Sequence, residues 1–139
     1  MNIDAITNGI VIDHITAGKG MEIYLLLGLD ELDCQVAIIK NAASQKLGKK
    51  DIIKINADIS VNTDILGYVD PDTTICTIKD GVVFAKRKAG LPAKLTNIIF
   101  CKNPRCITTT EQELPQIFML TDTDKKEYRC LYCDSERKL

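Results

Sequence analysis

The order of apolar and polar runs predicts an α+β fold, in which a larger antiparallel module precedes a small all-β module. Short β-branched runs alternate with two helix-like runs from the start of the chain to about residue 88. An Asp-Gly dipeptide between two β-type runs marks a hairpin. Beyond it, Gly90 and Pro92 interrupt the pattern, and four of the six cysteines follow in two close pairs. These observations predict two domains, at 1–92 and 93–139.

The first elements are read from apolar runs and from the residues that end them. The β-branched run GIVIDHI at 9–15 predicts a strand, and a buried helix is expected from about Gly20 to Gly28. The run CQVAII at 34–39 predicts a second strand. The polar run after it, KNAASQKLGKK, is interpreted as a loop.

The next strand, KDIIKIN, has an alternating pattern, because successive side chains of a strand point to opposite faces. Asp51, Ile53 and Ile55 are predicted on one face, and Lys50, Ile52 and Lys54 on the other. The lysines therefore project from the less apolar face, which is a candidate binding surface.

A short helix, VNTDILGY, is predicted next, with Ser60 as its N-cap and Asp64 in its first turn. TTICTIK and VVFAKRK then flank Asp80-Gly81, a dipeptide that favours a type I′ hairpin turn. The resulting order predicts a ferredoxin-like antiparallel sheet with two helices on one face and the other face open.

The cysteine pairs carry the strongest chemical signal. Cys101 and Cys106 enclose four residues, Cys130 and Cys133 enclose two, and 23 residues separate the pairs. Such spacing suits tetrahedral zinc, which in structural sites has four protein ligands and no open position for a water molecule. The sequence predicts one structural Zn²⁺ per chain, in a small zinc-ribbon-like domain. At 45 residues, the segment from Leu95 to Leu139 is too small to fold readily without a metal or disulfides.

Two disulfides are the alternative for the same cysteines. The sequence has no signal-peptide pattern and no long apolar run, and two further cysteines, Cys34 and Cys76, fall in strand-like segments. These features predict a cytoplasmic protein without membrane association, in which thiols stay reduced. Zinc is therefore the favoured interpretation.

The residues required for common catalytic sites are missing. The chain has one histidine, no nucleophile-elbow motif, no GxxxxGK[ST] loop and no GxGxxG turn, so it is predicted not to be an enzyme. A nucleic-acid-binding zinc ribbon is the competing class of function. Seven basic and seven acidic residues from Leu95 to Leu139, with few candidate exposed aromatics, argue against nucleic acid as a partner.

Several segments in order carry a resemblance to a known family: VIDHI, LGKKDIIKI, the hairpin ending at Lys86, LPAKLTNIIFCKNPRCIT and the final CLYC. Together they resemble the regulatory chain of aspartate carbamoyltransferase over nearly the whole length. The resemblance implies a non-catalytic subunit in pyrimidine biosynthesis. It implies an N-terminal allosteric domain for CTP or ATP, with UTP as a further candidate, and a zinc domain that docks onto the catalytic chain. A homodimer of regulatory chains is also implied.

Carried over by position, the resemblance implies a nucleotide site formed by Ile3, Asp4, Ala5, Ile6, Val11, Asp13, His14, Lys54, Ile78, Val83 and Lys86. The base and ribose would lie against the N-terminal arm and first strand, and the phosphates against Lys54 and Lys86. Independently of the resemblance, two lysines on the open face of a sheet can hold a triphosphate as point charges. Solvated lysines that protect a sheet edge are the alternative for the same pair.

Two positions depart from the family. Cys76 and Gly81 stand where its best-known members carry an asparagine and a tyrosine. A thiol cannot replace the donors and acceptor of an amide, and glycine offers no ring. Both positions therefore bear on the choice between purine and pyrimidine effectors.

Overall fold

The structure, a computed structural model, describes residues 6–46, 48–111 and 113–137. The chain divides into two compact units, Met1–Gly90 and Leu91–Leu139. None of the helices in the described ranges has the length and apolar composition needed to span a bilayer.

A five-stranded antiparallel sheet forms the first unit. Its strands are β1 (Gly9–Thr16), β2 (Val36–Ser44), β3 (Gly48–Ile55), β4 (Thr74–Lys79) and β5 (Val82–Lys88). They lie in the order β2-β3-β1-β4-β5, with helix α1 (Gly20–Leu26) between β1 and β2 and helix α2 (Thr63–Val69) between β3 and β4. The first four strands have the ferredoxin-like order, to which β5 adds an edge strand, so the predicted fold class is confirmed.

The core lies between the helices and one face of this sheet. Fully buried side chains come from β1, β3 and both helices: Ile12, Ile15, Ile53, Ile55, Ile23 and Leu66. On the other side of the sheet, the side chains of Val11, Ile52 and Lys54 are only half-buried. We call this side the open face. Its existence confirms the expectation that the helices cover one face only.

The hairpin between β4 and β5 follows its local sequence. Asp80 and Gly81 both have positive φ angles, 52° and 79°, as the two central residues of a type I′ turn require. The hairpin prediction is therefore confirmed. β5 is exposed along its whole length.

Helix α1 differs from the predicted buried helix. It ends at Leu26, Gly28 follows in the left-handed region at φ 69°, and Leu29–Glu31 form a separate 3-10 turn. Leu25 and Leu26 remain 57% and 51% exposed, so the prediction that this helix is buried is wrong. Its apolar composition reflects an uncovered surface as well as a core.

Two other local predictions are wrong. Strand β2 continues to Ser44 through the run expected to be a loop, because pairing with β3 outweighs its polar composition, with a register shift between Ile39 and Ala42. Helix α2 is capped by the side chain of Asn62, which accepts hydrogen bonds from the N–H groups of Asp64 and Ile65, and not by Ser60.

The second unit is a four-stranded antiparallel sheet with one turn of helix. Its elements are β6 (Lys94–Thr96), α3 (Ile107–Thr110), β7 (Ile117–Asp122), β8 (Glu127–Cys130) and β9 (Glu136–Arg137). The first strand, β6, ends before the segment NIIF, because Asn97 turns the chain at φ 57°. The three threonines at residues 108–110 belong to α3.

Candidate functional site

The four cysteines of the second unit converge on one point. Cys101 and Cys106 flank a turn before α3, Cys130 ends β8, and Cys133 lies in the turn toward β9. All four Sγ atoms lie within 4.8 Å of one another. Cys101 and Cys133 are separated by 3.5 Å, and Cys106 and Cys130 by 3.7 Å.

These distances fit a tetrahedral zinc ion. Zinc–sulfur bonds of about 2.3 Å place ligand sulfurs about 3.8 Å apart, whereas a disulfide needs about 2.05 Å. All six cysteines of the chain are free thiols. Four sulfurs at this spacing suit structural Zn²⁺, as predicted, and they leave no position for a reacting water molecule.

A buried glutamine orients the first cysteine. The Oε1 atom of Gln116 accepts a hydrogen bond of 3.0 Å from the N–H of Cys101. Its backbone exchanges hydrogen bonds with Asn97, whose Oδ1 accepts from the Gln116 N–H at 2.8 Å. Gln116 therefore joins β7 to the turn that carries Cys101.

Hydroxyl groups lie next to the sulfurs as well. Thr108 Oγ1 is 3.0 Å from the sulfur of Cys106, and Ser135 Oγ is 3.1 Å from that of Cys133. Asn103 donates from Nδ2 to Ser135 Oγ at 3.2 Å, which links the two cysteine loops. Such contacts around the ligands hold a metal site in its binding geometry.

The thiols differ in acidity. Burial raises the pKa of Cys101 to about 12. Burial also opposes ionisation of Cys133, but hydrogen bonding by Ser135 lowers the pKa of that thiol to about 6. Because zinc binds thiolates, loading this site at neutral pH displaces a proton at least from Cys101.

The open face of the first unit brings together residues from four strands. Val11 of β1 pairs with Lys54 of β3 on one side and with Cys76 of β4 on the other, and Cys76 pairs with Lys86 of β5. Directly paired residues point to the same face of a sheet. Lys54, Val11, Cys76 and Lys86 thus form one row across the open face, with a lysine at each end.

An apolar patch adjoins this row. Ile78 lies two residues beyond Cys76 on β4 and pairs with Val83 of β5, so both share the open face. The segment before β1 lies beside the same hairpin, since Thr7 O accepts a hydrogen bond of 2.9 Å from the N–H of Gly81. Ile6 immediately precedes this contact.

Charged groups lie at the other end of β1. Asp13 forms an ion pair of 3.0 Å with Lys50 and accepts a 2.6 Å hydrogen bond from the N–H of His14. Burial alone would raise the pKa of Asp13, but the Lys50 and His14 contacts hold it below the ordinary value. His14 has φ 57° at a register shift of β1, and its ring Nδ1 lies 3.2 Å from Thr74 Oγ1.

The structure thus brings most of the nucleotide-site residues implied by the resemblance onto or beside one surface. These are Ile6, Val11, Asp13, His14, Lys54, Ile78, Val83 and Lys86. Ile3, Asp4 and Ala5 lie outside the described residues. Their assignment to a nucleotide stays a prediction.

Lys50 was not selected as a site residue. The alternation in KDIIKIN already placed it on the face that carries Lys54, but only tertiary structure reveals its partner Asp13 across the register shift of β1. The polar residues around the cysteines, Gln116 and Ser135, were also missed, because nothing in local spacing links them to the ligands.

Comparison with known proteins agrees with this arrangement. Residues 1–90 match the family described as "Aspartate carbamoyltransferase regulatory chain, allosteric domain", and residues 93–138 match "Aspartate carbamoyltransferase regulatory chain, metal binding domain".

Individual relatives carry the same name. Aspartate carbamoyltransferase regulatory chains from Clostridium botulinum (strain Hall), Clostridium tetani and Bifidobacterium longum are 51%, 46% and 40% identical to this chain. The alignments cover 96%, 100% and 100% of this chain and 92%, 97% and 100% of the relatives, respectively. With an allosteric domain, a metal-binding domain and four converging cysteines, the chain belongs to the family of aspartate carbamoyltransferase regulatory chains, which are non-catalytic subunits.

Proposed function

We propose that the chain binds a nucleoside triphosphate on the open face of its first unit and docks onto the aspartate carbamoyltransferase catalytic chain through its second unit. CTP and ATP are the candidate effectors, with UTP as a further one. Cys101, Cys106, Cys130 and Cys133 hold one structural Zn²⁺. The observation that carries the proposal is the row of residues that ends in Lys54 and Lys86.

Lys54 and Lys86 suit a triphosphate because they lie at the two ends of the row, so that a triphosphate bound between them would have a lysine on each side. Three strand spacings put their Cα atoms about 14 Å apart, and both side chains are long and flexible. Between them, Val11 and Cys76 leave a surface without acidic groups. Lys50 adds a third positive charge nearby, balanced by Asp13.

Calorimetric titration of the full zinc-loaded chain with CTP and ATP tests this site. We expect Lys54→Ala and Lys86→Ala each to weaken binding by about tenfold or more, because each removes a charge-assisted contact with phosphate.

Two matched controls remove a positive charge from the opposite side of the same strands. Lys49 alternates with Lys50 on β3, and Arg87 pairs with the buried Ile75 on the covered side of β4. Lys49→Ala and Arg87→Ala should change the affinity much less. Unchanged affinity in both Lys54→Ala and Lys86→Ala would show that these lysines do not bind the nucleotide.

Docking of the second unit is supported by apolar side chains beside the cysteines. Phe100, Ile107 and Leu131 are 60%, 50% and 55% exposed although each adjoins a metal ligand in sequence. Such side chains favour burial against a protein partner. Mixing the chain with the purified catalytic chain should give a larger complex in size-exclusion chromatography, and a strong zinc chelator should abolish it. No complex in the presence of zinc would refute docking.

A homodimer is supported by a second exposed surface. Met21, Leu25 and Leu26 of α1 are exposed, and the edge strand β2 carries a single charged residue, Lys40, where the opposite edge β5 carries three. Charges on an edge strand discourage pairing with another chain. Strand β2 is therefore the edge that can pair more readily with a second copy of the chain.

Analytical ultracentrifugation tests the dimer. We expect Leu25→Glu to shift the chain toward monomer, whereas Val82→Glu, at a similarly exposed position on β5, should not. A Leu25→Glu chain that stays dimeric would contradict this surface. Cys34 and Cys76, which lie outside the metal cluster and form no disulfide, further support a reducing, cytoplasmic environment.

A further inference from the structure

We infer that Cys133 is a site of oxidation by peroxide, and that Cys101 then forms a disulfide with it that replaces the metal as the link between the two cysteine loops. These loops are residues 101–106, before α3, and residues 130–133, between β8 and β9. The inference rests on the zinc site of the second unit. It is independent of nucleotide binding and of docking onto a catalytic chain.

The four clustered cysteines differ in their exposure to solvent. Cys101, Cys106 and Cys130 are 7%, 1% and 2% exposed, whereas Cys133 is only half-buried. Oxidation of a cysteine by peroxide requires a thiolate that the oxidant can reach. Zinc holds its cysteine ligands as thiolates, so all four meet the first requirement. Cys133 meets the second requirement best, and it is therefore the sulfur that peroxide oxidises first.

Two short sulfur–sulfur contacts run from one cysteine loop to the other. The Sγ atoms of Cys101 and Cys133 are 3.5 Å apart, and those of Cys106 and Cys130 are 3.7 Å apart. A disulfide needs about 2.05 Å, so the first pair has to close by about 1.5 Å. The N–H of Cys101 donates to the buried Gln116, which holds this cysteine in place. An oxidised Cys133 thus has a second thiolate beside it, in the other loop.

The oxidation consumes one hydrogen peroxide for each disulfide. The Cys133 sulfur attacks a peroxide oxygen, so that an S–O bond forms, the O–O bond breaks, and the leaving hydroxide takes a proton and becomes water. The Cys101 thiolate then attacks the sulfenic acid at Cys133. The S–S bond forms, the S–O bond breaks, and the second hydroxide also leaves as water after taking a proton. Two thiolates lose two electrons in total, and the peroxide is reduced to two water molecules.

The disulfide leaves the second unit without its metal but with its loops still linked. Cys106 and Cys130 are half of the ligand set that a structural zinc site needs, so the site loses the ion. The new bond joins positions 32 residues apart, and such a cross-link restricts the unfolded chain. Asn103, which donates to Ser135 at 3.2 Å, connects the same loops beside it. Oxidation should therefore release zinc without unfolding the unit, whereas chelation unfolds it.

Titration of the full zinc-loaded chain with hydrogen peroxide, in the presence of a metallochromic indicator, tests the inference. We expect the bound zinc to be lost completely. After the remaining thiols are alkylated and the chain is digested without reductant, mass spectrometry should find a bridge between Cys101 and Cys133. At one equivalent of peroxide, Cys106 and Cys130 should be found alkylated. Dithiothreitol with added zinc should restore the loaded site, because the disulfide is reversible.

Two matched controls remove the thiols outside the cluster. Cys34→Ser and Cys76→Ser should change neither the release of zinc nor the identity of the bridge. Hydrogen exchange distinguishes oxidation from simple loss of metal. The amide protons of Phe118 and Tyr128, on β7 and β8, should stay protected in the oxidised chain and lose protection in the reduced chain treated with chelator.

Three results would each overturn the inference. One is retention of zinc while Cys34 and Cys76 become oxidised. Another is a predominant bridge other than that between Cys101 and Cys133, above all one within a single cysteine loop. The third is loss of protection in the oxidised chain to the same extent as in the chelated chain. A chain that binds no zinc before peroxide is added would instead refute the metal site itself, and the inference with it.

Discussion

The two units of the chain are stabilised in different ways. In the first unit, β-branched side chains from the sheet pack against Ile23 of α1 and Leu66 of α2, all fully buried. In the second unit, the buried apolar side chains are few among the described residues: Leu95, Ile99, Phe118 and Tyr128, together with Cys101, Cys106 and Cys130. Three of the side chains that fill its interior are thus metal ligands.

The two units therefore obtain their free energy of folding from different interactions. A sheet covered by two helices buries enough apolar surface to be stable by itself. A unit of this second size and composition needs an added interaction, and structural zinc contributes on the order of 10–16 kcal/mol of apparent binding free energy. The first unit should therefore respond to changes in its core, and the second to changes at the metal.

Removal of zinc should give the largest effect, and it should unfold the second unit while the first unit stays folded. In the full chain treated with a strong chelator, we expect amide protons of Phe118 and Tyr128 to lose protection from hydrogen exchange, while those of Ile12 and Ile53 keep it. Cys106→Ser should have the same effect without chelator. The matched change Cys76→Ser, at a free cysteine outside the cluster, should leave both units protected. Loss of protection in both units at once would contradict the claim that only the second unit depends on zinc for its stability.

Truncation in the core should destabilise only the first unit. Ile53 is fully buried under the helices, and its neighbour Ile52 lies on the open face. We expect Ile53→Ala to lower the free energy of unfolding by about 2–5 kcal/mol, because a cavity remains under the helices. Ile52→Ala should cost clearly less. Urea unfolding at saturating zinc measures both, and equal losses would contradict the division into a covered and an open face.

A smaller effect is expected where a polar side chain supports the metal site. Gln116→Met keeps the volume of the side chain but leaves the N–H of Cys101 without its acceptor. We expect the second unit to lose about 1–3 kcal/mol, the cost of an unsatisfied buried donor. Gln45→Met makes the same change at an exposed position and serves as the control. A competition assay with a zinc indicator should detect weaker zinc binding in the first variant alone.

Acidification should lower the free energy of unfolding of the first unit, because it protonates one buried carboxylate. Asp51 is fully buried and accepts hydrogen bonds from the N–H groups of Gly18, Gly20 and Asn41. Burial alone would raise the pKa of Asp51, but these N–H groups lower it below the ordinary value. Its contribution is therefore present above about pH 4 and is lost as the pH falls through the lowered pKa.

Urea unfolding of the first unit between about pH 6 and pH 3 measures this contribution. Asp51→Asn should be less stable at neutral pH and should lose less stability on acidification than the wild type. Asp30→Asn, at an exposed position, should follow the wild-type profile. If Asp51→Asn and the wild type have the same pH dependence, the carboxylate does not supply the acid response.

Much of this organisation could be predicted, and the failures have a common cause. The predicted helix at 20–28 was too long and was taken as buried, because apolar composition alone cannot distinguish a core from an uncovered surface. The polar run at 40–44 was taken as a loop, because pairing with β3 is invisible to local composition. Each error concerns contact with a segment distant in the chain.

The two cysteine pairs, the Asp80-Gly81 turn and the alternation along β3 are all readable from the chain before folding, because each depends on residues a few positions apart. By contrast, the row that joins Lys54 to Lys86 and the ion pair of Asp13 with Lys50 exist only in the folded chain. The physical reason is that strand register arises from long-range backbone pairing and core packing, which position side chains that no local pattern relates.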